Sequence, residues 1–164
     1  MTPDTADHVV VRSAIRADLP RLGRFGASLV DEHHGFDQRR FIPTRERTPA
    51  DYAAFLIRQI DDPKAIVLVA DDHGDVIGYV YATDEGYDYM ALRGPAGVLQ
   101  DIFVAPEFRR HGVGEKLLAA AIGELKSRGV SQVVLSIAEQ NAEAQRMFAR
   151  AGFRRTMVEM TREI

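Results

Sequence analysis

The sequence predicts an α/β fold built around a mixed sheet. Strand-type apolar runs alternate with stretches of helical periodicity in the order β-α-α-β-β-β-α-β-α-β. Two strand runs, 65–70 and 76–83, flank the turn-rich Asp71-Asp72-His73-Gly74-Asp75 and read as a hairpin. A third run, 98–104, passes through a glycine-bearing loop into a helix.

Each element has its own local reason. Residues 9–15 are the first strand, and Asp18 is expected to cap a helix with apolar positions Leu22, Phe25 and Leu29, ending near Glu32. Gly23 and Gly26 each weaken that helix by about 1 kcal/mol relative to alanine, so packing must hold it. Thr48-Pro49-Ala50-Asp51 starts a second helix, with threonine as cap and proline in the first turn, and it runs to Ile60. After the hairpin, the strand at 98–104 is stopped by Ala105-Pro106-Glu107. Val113, Leu117, Ala121 and Leu125 then mark one face of a helix that Gly129 ends. Residues 132–137 form another strand. Asn141 caps a helix carrying Ala144, Phe148 and Ala151, closed by Gly152, and 153–160 reads as a final strand. The one long irregular connection is 85–97.

Composition excludes several classes of function. The 164 residues, 46% hydrophobic and 27% charged, suit one globular domain (1–164, with its core in 8–164). With no cysteine there is no disulfide, thiol nucleophile or thiolate zinc site. A net charge of −3 gives no broad attraction to nucleic acid. Residues 1–8 are polar, without the apolar core of a signal peptide, and the apolar runs 65–70 and 117–122 are too short to span a bilayer. A cytoplasmic protein, with no membrane or nucleic-acid partner, is expected.

The stretch with chemical content is Arg109-Arg110-His111-Gly112-Val113-Gly114. Glycines at a strand-to-helix crossing let backbone N–H groups converge at the positive end of the helix dipole, a seat for phosphate. A dinucleotide loop needs a third glycine where Leu117 stands, and a Walker loop needs Gly-Lys where the chain has Gly114-Glu115. The alternative is a plain turn before a helix.

Arg109-x-x-Gly112-x-Gly114 opening a helix resembles the acetyl-CoA signature of the GCN5-related N-acetyltransferases (GNAT). A second stretch, Asn141-x-x-Ala144 followed by position 148 and Gly152-Phe153, is similar to the same family's C-terminal helix motif. The resemblance covers almost the whole chain. It implies a mixed, mostly antiparallel central sheet flanked by helices and splayed at the acetyl-CoA site. By the same resemblance, Ile102, Phe103 and Val104 would offer backbone groups to pantetheine and the thioester carbonyl. Arg109, Arg110, His111, Gly112, Val113 and Gly114 would hold the pyrophosphate. Asn141 would position the CoA arm, or serve only as a helix cap. Many members carry tyrosine, a proton donor to the departing thiolate, where this chain has Phe148.

The acceptor implied is an amine. A lysine-like amine of pKa about 10.4 costs roughly 4–5 kcal/mol to deprotonate at pH 7, so a proton acceptor is needed near the thioester. Diamine acetyltransferases, to which this stretch is similar, carry Glu-Asp where this chain has Gln100-Asp101. Gln100 cannot be a base. Asp101 is therefore the candidate catalytic and substrate-binding carboxylate, or else a buried hydrogen-bond partner. His33, Tyr81, Glu85 and Tyr87 are candidate contacts to a cationic acceptor, with a solvated loop over packed tyrosines as the plainer reading of the last three. The adjacent His33-His34 pair rarely converges on one ion, so no metal is expected. The implied activity is acetyl-CoA-dependent transfer to a small cationic amine by direct attack, in a chain that could be a homodimer. The rivals are an acyl-CoA-binding sensor without turnover and a protein or peptide acetyltransferase.

Overall fold

The computed structural model describes residues 8–164. The elements are β1 (Val9–Ser13), α1 (Leu19–Phe36), α2 (Thr48–Ile60), β2 (Ala65–Asp72), β3 (Asp75–Glu85), β4 (Ala96–Val104), α3 (Val113–Ser127), β5 (Val133–Leu135) and α4 (Ala142–Arg150). The five strands form one sheet in sequence order. β1 to β4 pair antiparallel and β5 runs parallel to β4, the mixed, mostly antiparallel layout expected.

The sheet has two covered faces. One cluster joins Ile77, Val80, Ala82 and Leu99 to Leu117, Leu118, Ala121 and Leu125 of α3. The other joins Val69, Tyr79, Tyr81 and Phe103 to Leu22, Phe25 and Leu56 of α1 and α2. The hairpin turn His73-Gly74 has both residues at positive φ, 52° and 94°, as a two-residue turn matched to strand twist requires.

Two irregularities place the site. Tyr81 pairs with Asp101 but Ala82 pairs with Leu99, so Gln100 is an extra residue in β4 and forms a β-bulge. β4 and β5 pair only over Gly97–Leu99 and Val133–Leu135. Beyond that point β4 has no neighbour on the β5 side among the described residues, so the sheet opens there.

The glycines of α1 have a packing role that helix propensity alone does not show. A Cβ on Gly26 would lie 2.1–2.5 Å from the ring of Tyr52, and one on Gly23 would lie 2.3 Å from the Pro49 carbonyl oxygen. The absent side chains form a seam that α2 fills.

Three local expectations are corrected. Asp18 makes no cap bond to α1. It is 7% exposed and bridges Arg12 (2.8 and 3.0 Å) and the Ile15 N–H (2.9 Å). Burial pushes its pKa up, but those donors outweigh it and hold the carboxyl below its ordinary value. Thr48 is the first residue of α2 and not its cap; its Oγ1 accepts from the Arg45 N–H at 2.8 Å. Residues 153–160 form no strand. They run without regular structure and pair with no strand, although residues 153–156 border a groove beside β5.

Gly26→Ala should destabilise the fold by about 1–3 kcal/mol, the usual range for overpacking. Gly123→Ala, where an added Cβ meets nothing within 4 Å, should stabilise α3 by about 0.5–1 kcal/mol. Denaturant unfolding of both variants measures the contrast, and equal effects would refute the seam.

Candidate active site

The open side of β4 is lined by two adjoining clefts. The larger, about 730 Å³, runs between the end of α1, the C-terminal half of β4, the start of α3 and α4. Ile102, Phe103, Val104, Arg109, Arg110, Gly114 and Asn141 all line it. The smaller, about 240 Å³, is lined by Leu29, Val30 and His33 of α1, Phe41, Ile42, Gln100, Asp101, Ser136 and Phe148. Ile102, Asn141 and Ala144 border both.

Backbone groups on the walls of the larger cleft turn toward it, the Val104 carbonyl among them being taken by Arg109 Nε. Ala105 N–H bonds the Ile77 carbonyl at 2.9 Å. Antiparallel alternation therefore turns the backbone groups of Val104 and Ile102 away from β3, toward the open edge. Arg110 and Gly112 adopt positive φ, 62° and 77°, folding the loop into a concavity that ends at α3. The first intrahelical bond runs from Lys116 N–H to Gly112 O (3.0 Å), so the amides of Val113, Gly114 and Glu115 have no intrahelical acceptor. A Cβ on Gly114 would meet Met147 Sδ at 3.1 Å, a tight contact that the methionine would have to ease by a few tenths of an ångström.

The loop residues divide by role. The Arg109 side chain faces the protein: Nε donates to Val104 O at 2.8 Å, Nη2 bonds Glu32, and the guanidinium lies over the Phe103 ring. Arg110 and His111 are exposed, and the Val113 side chain is buried in the α3 core. The Asn141 side chain accepts from Ala144 N–H at 3.1 Å, capping α4, while the residue borders both clefts. These features suit a long ligand with phosphates at one end and an extended arm along β4: an edge to pair with, a concavity of N–H groups, and Arg110 beside it.

In the smaller cleft, Asp101 is the one carboxylate and no lysine or arginine contributes. Its Oδ2 accepts from Tyr52 of α2 and lies 3.2 Å from the hydroxyl of Tyr79, whose hydroxyl also lies 3.2 Å from that of Tyr52. Burial raises the Asp101 carboxyl above its ordinary value, while the two tyrosines and His33 pull it partly back. Burial and the facing carboxylate push Tyr52 and Tyr79 up, so both stay protonated as donors. His33 Nδ1 lies 2.8 Å from Leu29 O, an oxygen that can only accept, so Nδ1 carries the proton.

The remaining candidates lie apart. Tyr81 is buried with its hydroxyl on Gln59 (2.9 Å), and Glu85 binds Arg93 (2.6 Å). Tyr87 is exposed and stacks on Tyr89. None of the three lines the smaller cleft. Phe148 does, and its ring also packs edge-on against Phe153. Tyr52 and Tyr79 were not anticipated from the sequence. The signal available was the Gly23/Gly26 pair, one turn apart, which marks where a second helix closes on α1. No group of three metal-ligating side chains occurs among the described residues, and no described helix is long and apolar enough to cross a membrane.

Comparison with known proteins bears on this geometry. The sequence model of the Acetyltransferase (GNAT) family matches residues 30–153. An uncharacterized N-acetyltransferase of Archaeoglobus fulgidus is 30% identical over 140 residues, covering 85% of this chain and 91% of that protein. A mycothiol acetyltransferase of Thermobispora bispora is 36% identical over 103 residues, 60% of this chain but 33% of that longer protein. Among solved structures, a protein of Clostridium acetobutylicum described as a predicted acetyltransferase, with acetyl-CoA, superposes with a TM-score of 0.72 at 16% identity, over 93% of this chain and 96% of that one.

A carboxylate raised by burial stabilises the fold below its unfolded pKa and loses that contribution as pH rises through its folded pKa. Asp101→Asn should therefore melt above the wild type at neutral pH, and the advantage should shrink as the solution is acidified. Tyr52→Phe removes a donor to the charged carboxylate and should cost about 1.5–3 kcal/mol at neutral pH. Thermal unfolding across pH measures both. An Asp101→Asn variant less stable at every pH would contradict the assignment of burial as the dominant influence.

Proposed function

This chain belongs to the acetyltransferase (GNAT) family and is an acetyl-CoA-dependent acetyltransferase, and from that premise we propose that it acetylates a primary amine of a small cationic molecule by direct attack on the thioester. The smaller cleft carries the proposal: one carboxylate, Asp101, in an apolar pocket free of lysine and arginine, opening onto the cleft along β4. Leu29, Val30, Phe41 and Ile42 would take the carbon skeleton of the acceptor, and the carboxylate would draw its charge. Nothing from 86–95 lines that pocket, so the acceptor does not depend on the exposed tyrosines there.

In this reading acetyl-CoA lies along the open edge of β4. Ile102 and Val104 face it with backbone groups, the N–H groups of residues 110–114 hold the pyrophosphate, and Arg110 supplies charge. Asn141 borders the arm where the two clefts meet. Asp101 accepts the proton of the bound ammonium, and its raised pKa makes it a better acceptor than an ordinary aspartate. The amine nitrogen attacks the carbonyl carbon, and an N–H of the β4 edge stabilises the oxyanion. The intermediate collapses with cleavage of the C–S bond, and the nitrogen gives up its second proton to water, releasing the neutral amide and CoA thiolate. A thiol of pKa about 8.5 is a tolerable leaving group, so Phe148 need not donate and water can protonate the thiolate. With no cysteine in the chain, a thiol-linked acetyl-enzyme cannot form.

The test is thiol release from acetyl-CoA against diamines, amino sugars and amino-acid amides, with a peptide panel alongside. Turnover should appear with the small cations. Asp101→Asn should lower kcat by a factor of about 100 or more while calorimetry finds acetyl-CoA affinity unchanged. Wild-type turnover in that variant would remove Asp101 from the reaction, and turnover with peptides alone would remove the small acceptor. Phe148→Tyr should leave turnover unchanged or raise it, because the cavity already fits the ring. A large loss with acetyl-CoA binding intact would contradict its placement beside the thioester.

A further inference from the structure

The smaller cleft can meet one positive charge and has nothing for a second. Tyr52 and Tyr79 both approach Oδ2 of Asp101, and no hydrogen bond or ion pair among the described residues engages Oδ1. That oxygen is not sealed in the interior, since no buried side-chain oxygen among the described residues lacks a partner. One carboxylate oxygen is therefore left open to the cavity that Asp101 lines, enough for one ammonium group. The other polar side chains are largely committed. Gln100 Nε2 donates to Thr83 and Glu85 (both 3.1 Å), Asn141 caps α4, and His33 Nδ1 is held by Leu29 O. Carboxylates on the surrounding elements are already matched: Glu85 by Arg93, Glu32 by Arg109 and Glu159 by Arg40.

The rest of the wall is hydrocarbon. Leu29 and Val30 of α1, Phe41 and Ile42 of the connection after it, Ile137 just past β5 and Phe148 of α4 enclose about 240 Å³. Ile42 is 72% exposed and stands at the rim. We propose that the acceptor is a primary monoamine with a hydrocarbon body, and that the pocket discriminates against short diamines and amino sugars. This rests on the reading of Asp101 as the group that receives the amine. The ammonium meets Oδ1, and the body lies against the hydrocarbon wall, where each methylene removed from water adds to binding. A second ammonium in the same volume meets no free carboxylate, and its lost hydration goes uncompensated. Ser136 brings one hydroxyl, too little to replace the water around a sugar ring. Selectivity of this kind comes from what the wall lacks as much as from what it offers.

Thiol release from acetyl-CoA along the series n-propylamine to n-hexylamine tests this, together with n-butylamine against 1,3-diaminopropane, in which an ammonium replaces the terminal methyl. The wild-type kcat/KM should rise roughly fourfold per methylene until the volume is filled. It should be lower for 1,3-diaminopropane than for n-butylamine by a factor of about 100 or more, and lower for glucosamine than for 2-phenylethylamine. Ile42→Glu places a carboxylate at the rim and should narrow the gap between n-heptylamine and 1,6-diaminohexane by about threefold. A diamine used as well as its matched monoamine, or a kcat/KM that stays flat along the series, overturns the hydrocarbon acceptor and leaves amine acetylation standing. An unchanged gap in a folded Ile42→Glu variant puts the body of the acceptor elsewhere and also overturns it. Turnover with none of these amines removes the proposed reaction and this inference with it. The wild-type comparisons decide the matter even if the variant misfolds.

Discussion

The candidate site depends on one inserted residue. On β4, Gly97 and Leu99 face α3, as the contact of Gly97 with Leu125 and the place of Leu99 in that cluster show. Strict alternation would send Asp101 and Phe103 to the same face. The bulge at Gln100 reverses the parity, so Phe103 packs against Phe25 under α1 while Ile102 and Val104 join the α3 side. Asp101 is thereby turned toward Tyr52 and Tyr79. On the other face it would have entered an aliphatic cluster without donors, where burying a carboxylate carries a heavy desolvation cost. The same bulge comes just past the last residue that pairs with β5, so the sheet changes parity and opens at one place.

The helices complete what the bulge begins. Tyr52 reaches Asp101 because Gly26 leaves room for its ring, and α1 gives up helix propensity to allow the approach. The outcome is a carboxylate that is solvated by two hydroxyls yet kept from water, so it holds protons more readily than a free aspartate. Such a group costs stability at neutral pH and gains basicity, the combination expected where a proton has to be taken from an amine. His33, with its proton fixed on Nδ1 by the Leu29 carbonyl, lines the same pocket from α1. Two helices and two strands thus converge on one polar cluster within an apolar wall.

What the sequence made legible follows from the range of the interactions. The element order up to α4, the turn between β2 and β3 and the Asn141 cap are local, decided within a few residues, and each occurs as read. The strand-to-helix loop was legible because glycine at Gly112 is tied to a positive φ. The bulge was not, since Val98-Leu99-Gln100-Asp101-Ile102 carries no glycine to mark it and its effect lies in partners more than fifteen residues away. Tyr52 was missed for a related reason: a tyrosine on an amphipathic helix looks like packing until the second helix is placed. The acidic aromatic stretch shows the opposite case. Tyr81, Glu85 and Tyr87 are close in sequence but point to Gln59, Arg93 and solvent. The tail at 153–160 has strand composition but pairs with no strand, and composition alone does not make a ladder.

The basic loop shows how a motif's charge and its geometry come apart. Arg109 looks like a phosphate ligand in the sequence, but its side chain clamps Val104 O and Glu32 and covers the Phe103 ring. That clamp ties the end of β4 to α1 across the mouth of the larger cleft. It fixes the spacing between the open strand edge and the concavity of N–H groups at the start of α3. A ligand that spans both must match a distance set by this pair, and in the proposed reading its anion contacts would come from backbone amides and Arg110. Backbone donors cannot swing away as a long side chain can, so a site built from them selects for the position of a phosphate as well as its charge. In the proposed reading, Arg109 acts on the cleft by fixing the end of β4 against α1.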